Sequence, residues 1–182
     1  MNVIWLQHPE PVGELGYAEC ESPWGRLWSL WHEDALARLA FVDTAAESEK
    51  RFSRAARFWG CEPQPLADTD PRVRALAAIV SAWPDLATAS MPTLEMVGSA
   101  FQQRVWRHLL RLDAGQCLSY GDVARHIGQP GAARAVGAAV AANPVPVLVP
   151  CHRVLPVAGG TGHYGGGAQR KRWLLSSEGV TL

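Results

Sequence analysis

Residues 119–150, "SYGDVARHIGQPGAARAVGAAVAANPVPVLVP", restrict the fold more than any other stretch of the chain. A short helical pattern over 119–128 closes at Gly128, the turn "QPG" follows, and a second helical pattern over 132–143 ends at Asn143. Two helices joined by a Gly/Pro turn of this length fit a helix-turn-helix or an ordinary αα-hairpin. Apart from two valines and Arg134, the second helix is alanine and glycine. Its backbone can therefore approach another surface closely, whether protein core or nucleic-acid groove. The apolar run 145–149 reads as a short buried strand, with Pro146 at its irregular start and Pro150 unable to continue the ladder.

Cys151 and His152 come directly after that run. A free cysteine usually behaves as a small buried hydrophobe. Here it stands where a strand is expected to break, a place where backbone can turn and expose a side chain. A nucleophilic cysteine must be a thiolate, which requires a nearby base or a positive field. His152 and Arg153 are candidates for both, although adjacency does not establish contact, and Arg153 reads more simply as a structural ion-pair partner. The other cysteines, Cys20, Cys61 and Cys117, form no C-x-x-C pair with each other or with Cys151. Neither a zinc finger nor a disulfide framework is indicated. Convergence of Cys20, His32 and Cys61 on a metal is weighed against scattered free thiols, and the thiols are preferred. No metal and no cofactor are expected.

Net charge is zero, which by itself speaks against a nucleic-acid partner, but the average hides a division. Residues 101–182 carry nine Lys/Arg against three acids, a net +6, and the first hundred residues carry the balancing −6. A basic C-terminal module that can meet a polyanion is implied, beside an acidic partner domain. No stretch approaches the roughly 18 apolar residues of a membrane span, and the N-terminus lacks the regions of a signal peptide. The default expectation is a cytoplasmic, monomeric protein without membrane contact.

An α/β (α+β) architecture with two domains is expected: 1–85, a linker over 86–98, and 99–182. In the first, 16–22, 25–32 and 35–43 read as an antiparallel meander, followed by helices over 45–60 and 71–84. Its tryptophans read as core. In the second, 99–112 reads as a helix capped by Ser99, with Phe101, Val105, Leu109 and Leu112 on one face. Lys171 and Arg172, on a C-terminal helix, read as solvated, with phosphate contact the alternative.

The ordered motifs "GSAFQQRVW", "SYGDVARHIG", "GAARAVGAAVAANPVPVLVPCHRV", "GHYGGG" and "KRWLLSSEG" resemble the O6-alkylguanine-DNA alkyltransferases, which move an alkyl group from guanine to their own cysteine. The resemblance is dense over about 98–179 and loose in the first half, where "ESPWGRLWSLW" and "LAFVD" carry it. It implies a C-terminal domain with a winged-helix-like helix-turn-helix and a short active-site strand. It implies Cys151 as alkyl acceptor, His152 acting on the thiol through a water, and Glu178 orienting that histidine. It also implies Tyr120 as a contact to the lesion base and phosphate, Arg134 as the residue filling the gap of an extruded nucleotide, and Ala133, Ala135 and Gly137 beside it on the DNA. Tyr164, Gly165, Val154, Asn143 and Pro146 would line the pocket, Asn143 also tying the second helix to the strand. The implied partner is double-stranded DNA containing O6-alkylguanine, with O4-alkylthymine beside it, met through the minor groove with little sequence preference.

Two positions depart from the family pattern: Ala138 replaces a common second glycine, and Gly165 replaces a common serine. Three other readings compete. A non-catalytic alkyltransferase-like protein would lack the acceptor cysteine. A helix-turn-helix regulator would need several base-reading side chains where 132–142 offers only Arg134. A cysteine hydrolase would turn over.

Overall fold

The computed structural model describes residues 1–10, 13–86 and 90–182. The chain divides into two compact units, Met1–Val97 and Gly98–Leu182.

The first unit is built on β1 (Val3–Leu6), β2 (Leu15–Cys20), β3 (Leu27–His32), β4 (Ala35–Phe41), β5 (Gln64–Pro65) and β6 (Leu94–Val97), with α1 (Ala45–Trp59) and α2 (Pro71–Ala82) between strands. The sheet order is β1-β6-β4-β3-β2-β5. The expected meander is β2-β3-β4, antiparallel throughout, while β1 pairs with β6, β6 with β4 and β5 with β2 in parallel. All six residues of β3 are buried, which explains why "LWSLWH" does not alternate: a central strand covered on both faces tolerates no polar side. Trp28 and Trp31 are core, and Trp31 Nε1 donates to Ser29 Oγ at 3.1 Å. Thr44 caps α1, which ends at Gly60 with φ 74°, and α2 starts on Pro71 with Asp70 as its cap.

The expectation of a linker over 86–98 needs correction, and its positions 87–89 lie outside the described residues. Leu94–Val97 is a sheet strand, with Leu94, Glu95 and Met96 buried. Parallel pairing to β1, some 90 residues away in sequence, leaves no local turn signal to announce it. Cys20 and His32 lie at opposite ends of the β2–β3 hairpin, paired with Leu27 and Leu15, and His32 Nδ1 sits 2.7 Å from Glu95 Oε2. Among the described residues no group of three or more His, Cys, Asp or Glu side chains is placed to hold a metal.

The second unit contains α3 (Ala100–Leu109), β7 (Leu118–Ser119), α4 (Tyr120–His126), α5 (Ala133–Ala141), β8 (Val154–Leu155) and α6 (Ala168–Ser177). A full capping box between Ser99 and Gln102 starts α3, and another between Ser119 and Asp122 starts α4. Gly128 and Gly131, at φ 72° and 96°, make the turn between α4 and α5, the two-helix arrangement expected from their spacing. Val136, Ala139 and Val140 face inward, and Val105, Trp106 and Leu109 of α3 are likewise buried.

The run 145–149 is not a strand. It is a tight buried turn with one isolated bridge, Pro146 to Val149, and Val147 at φ 76°. A β-branched residue in that region is strained, at a cost of about 1–2 kcal/mol. Asn143 holds the turn closed, its Nδ2 donating to Val149 O at 2.8 Å while Oδ1 accepts from Val145 N at 3.0 Å. Cys151–Arg153 then form one turn of 3-10 helix, and the strand at the site is β8, paired in parallel with β7.

Trp106 Nε1 donates to Ala139 O at 2.8 Å, joining α3 to the last turn of α5. That carbonyl needs a donor from outside the helix, because Asn143 N turns to Val140 O instead. Trp106→Phe should therefore cost about 1–3 kcal/mol, the penalty for leaving a buried acceptor unmet. A chemical-denaturation midpoint unchanged from wild type would refute the link.

Candidate active site

Three segments meet at Cys151: the Asn143-held turn, the 3-10 turn, and the stretch from Tyr164 into α6. The thiol is 5% exposed, so the expected exposure of its side chain does not occur. Burial pushes the thiol up from its ordinary value. Four influences oppose it: a hydrogen bond from Asn143, the charge of Lys171, a backbone N–H and the hydroxyl of Tyr164. Neither His152 nor Arg153 is among them.

His152 is fully buried, and its Nε2 lies 3.0 Å from Glu178 Oε1. Burial lowers its basicity more than Glu178 raises it, so the imidazole is neutral near pH 7. An ionised carboxylate accepts only, which assigns the proton to Nε2 and leaves Nδ1 as the basic nitrogen. Glu178, at the C-cap of α6, has no exposed side chain. Its Oε2 accepts from Gly115 N at 3.2 Å and Arg153 Nε at 2.9 Å, and its Oε1 also accepts from Arg153 Nη2 at 2.7 Å. Although burial alone would raise it, the bonds from His152 and Arg153 hold this carboxyl down at about 2. Arg153 also donates from Nη1 to Leu112 O, so its guanidinium serves the carboxylate and the fold and does not touch the thiol.

Tyr120 opens α4 and is half-buried. Burial, then the nearby Cys151 charge, raises its phenol. A methyl on Gly137 would come 3.8 Å from the Tyr120 ring, and one on Gly162 would come 3.7 Å from its hydroxyl, so α5 and the 156–163 loop both pass close to this side chain. Val154 is buried in β8, Pro146 lies in the turn, and Gly165 is exposed with open space where a side chain would project. Arg134 and Ala135 are on the exposed face of α5 with Ala138, while Ala133 is partly covered. The structure thus gathers Cys151, His152, Glu178, Asn143, Tyr164 and Tyr120, and leaves Arg134 and Ala135 exposed on α5, the helix that passes Tyr120 at Gly137.

Lys171 overturns a sequence expectation. It is 1% exposed, and Nζ donates to Val154 O at 2.6 Å. A signal was present, since 171, 174, 175 and 178 are spaced as one helix face and Leu174 and Leu175 are fully buried.

A methylated-DNA-protein-cysteine methyltransferase of Mycobacterium tuberculosis is 36% identical over 164 residues, 90% of this chain and 92% of that one. The chain belongs to the methylated-DNA-protein-cysteine methyltransferase family. Residues 100–180 match the family description "6-O-methylguanine DNA methyltransferase, DNA binding domain". A Salmonella typhimurium methylated-DNA-protein-cysteine methyltransferase is 50% identical over 96 residues, 52% of this chain and 56% of that one. The crystal structure of the M. tuberculosis O6-methylguanine methyltransferase superposes with a TM-score of 0.71 at 36% identity, covering 90% of this chain and 92% of the other. The M. tuberculosis protein in complex with DNA gives the same score at 35% identity and the same coverage. The two-domain mixed α/β fold is the fold of these methyltransferases. No helix among the described residues is long and apolar enough to cross a membrane.

Proposed function

We propose that this methyltransferase repairs DNA by taking the alkyl group of O6-alkylguanine, and of O4-alkylthymine, onto Cys151, once per molecule. The observation that carries the reading is the buried thiol ringed by Asn143, Tyr164 and Lys171, next to a His152-Glu178 pair that leaves one imidazole nitrogen basic. His152 Nδ1 takes the thiol proton through a bridging water. Sγ then attacks the alkyl carbon, the carbon–sulfur bond forming as the carbon–oxygen bond breaks. The electron pair stays with the purine, where the Tyr120 O–H meets it, and the proton given up by Cys151 ends on the released guanine. A thioether has no hydrolytic exit, so the acceptor is consumed.

A base inside a duplex cannot reach a buried thiol and must be rotated out, at roughly a few kcal/mol. The exposed face of α5, with Arg134 the one long side chain among alanines, supports a close approach to the minor groove, Arg134 filling the vacated stack. The DNA complex of the M. tuberculosis relative supports DNA as the partner. The protein acts as a monomer on DNA of any sequence.

Intact-mass measurement tests this directly. With excess duplex carrying O6-methylguanine, the protein should gain one methyl group and no more, located on the peptide containing Cys151. Continued turnover would mark a hydrolase, methylation of Cys117 would move the acceptor, and binding without any mass gain would mark an alkyltransferase-like binder.

A further inference from the structure

A lysine at 1% exposure is rare unless something in the interior uses its charge. Lys171 is an extreme case, because among the described residues no carboxylate is paired with it. Its Nζ donates to Val154 O at 2.6 Å and lies 5.9 Å from the centroid of the Tyr164 ring. Tyr164 in turn neighbours Cys151, and the two groups shift one another's titration. A backbone carbonyl and a ring face can hold an ammonium group, but neither neutralises it. The groups facing it that can carry negative charge are two thiols, Cys151 and Cys117, with Tyr164 beyond them and the neutral His152 nearby. Arg153 and Glu178 satisfy one another and leave no negative charge over.

We infer that Lys171 is the buried countercharge of the Cys151 thiolate, so that alkylation of Cys151 strips this lysine of its anionic partner. The inference rests on Cys151 being the acceptor. Lys171 does not touch substrate. It acts through the sulfur and is a positioning residue for charge, opposing the burial that pushes the thiol up and lowering the cost of the thiolate as it forms. The direction of its own shift agrees: burial lowers the amine from 10.5 to about 8, while the two cysteines pull it back up. Once Sγ carries an alkyl group it can no longer hold a charge. The ammonium then faces only a carbonyl, a ring and Cys117, and its proton is released more easily to solvent.

The test uses the full chain and iodoacetamide, with Cys151 modification followed by mass spectrometry across pH. In Lys171→Met, which keeps the length and the apolar stem, the midpoint for Cys151 modification should rise by at least about one pH unit, with about a tenfold slower reaction at pH 7. Lys171→Arg should recover at least half of that shift. A folded Lys171→Met protein with an unchanged midpoint overturns the inference. Should Lys171→Met fail to fold, the wild-type protein decides: the NMR titration of the Lys171 amine should move to lower pH after Cys151 is alkylated, and an unmoved titration overturns the inference equally. Neither measurement involves DNA. A normal thiolate shift without alkyl transfer from damaged DNA would count against the proposed reaction and leave the Lys171–Cys151 pair in place.

Discussion

Glu178→Gln should destabilise the second unit by about 3–5 kcal/mol, the range for removing one partner of a buried ion pair. The carboxylate accepts four hydrogen bonds, from Gly115 N, His152 Nε2 and two nitrogens of Arg153. A glutamine presents one acceptor and one amide donor to the same four donors. Arg153, itself 8% exposed, would keep its charge with nothing to neutralise it. The pH dependence follows from the same bonds. Glu178 falls from an ordinary 4.5 to about 2 on folding, so its contribution is fully present above about 4.5 and is lost as pH falls toward 2. Integrated over that interval the loss is about 3 kcal/mol. His152, lowered from its ordinary 6.5 by burial, adds acid sensitivity of the same sign that begins at higher pH. Denaturant melts from pH 7 to 2 should show a wild-type stability that declines with acid and a Gln variant that starts lower and declines less. Alkyl transfer by the folded Gln variant should be slower by about a hundredfold or more, the ordinary worth of a general base held in place. Affinity for alkylated DNA should be nearly unchanged. A Gln variant with wild-type stability and the wild-type acid slope would remove Glu178 from the network.

Much of this site could be read from the chain because its parts lie in short ordered motifs. Ser99, Ser119, Gly128 and the "QPG" turn mark helix ends by local chemistry that survives any tertiary context. Cys151 and His152 follow a proline that ends one structure and starts another. What the sequence concealed depends on long-range burial. The 145–149 run is as apolar as a strand, and only the Asn143 bonds and the positive φ of Val147 make it a turn. Strand β6 reads as a connection because its partners are β1 and β4, far away in sequence. Lys171 and Arg153 carry surface residue types into the interior. In each case the cost of burial is offset by a partner, Val154 O or Glu178, that no local pattern points to. Local rules therefore mark where Cys151 and His152 stand in the chain and leave the burial of Lys171 unannounced.

Arg134→Ala should separate base extrusion from chemistry. The exposed face of α5 carries Arg134, Ala135 and Ala138, and the inward face carries Val136, Ala139 and Val140, so removing the arginine side chain leaves the helix packing intact. In a duplex, the extruded nucleotide leaves an unstacked gap, and a planar guanidinium in that gap offsets part of a cost of roughly a few kcal/mol. Losing about 2–3 kcal/mol of that compensation slows duplex repair about 30- to 200-fold. The free alkylated base needs no extrusion, and its rate should stay within about twofold of wild type, since Arg134 is not among the groups that shift the thiol. Arg134→Lys should recover only part of the duplex rate, because a point charge does not stack. Binding should weaken as salt rises, because the second unit is basic, and should vary little with flanking sequence, because the alanine surface offers nothing to read base edges. The ratio of duplex to free-base rates is the deciding quantity. Equal slowing of both substrates by Arg134→Ala would assign Arg134 to the pocket or the fold, and the minor-groove placement of α5 would have to be given up with it.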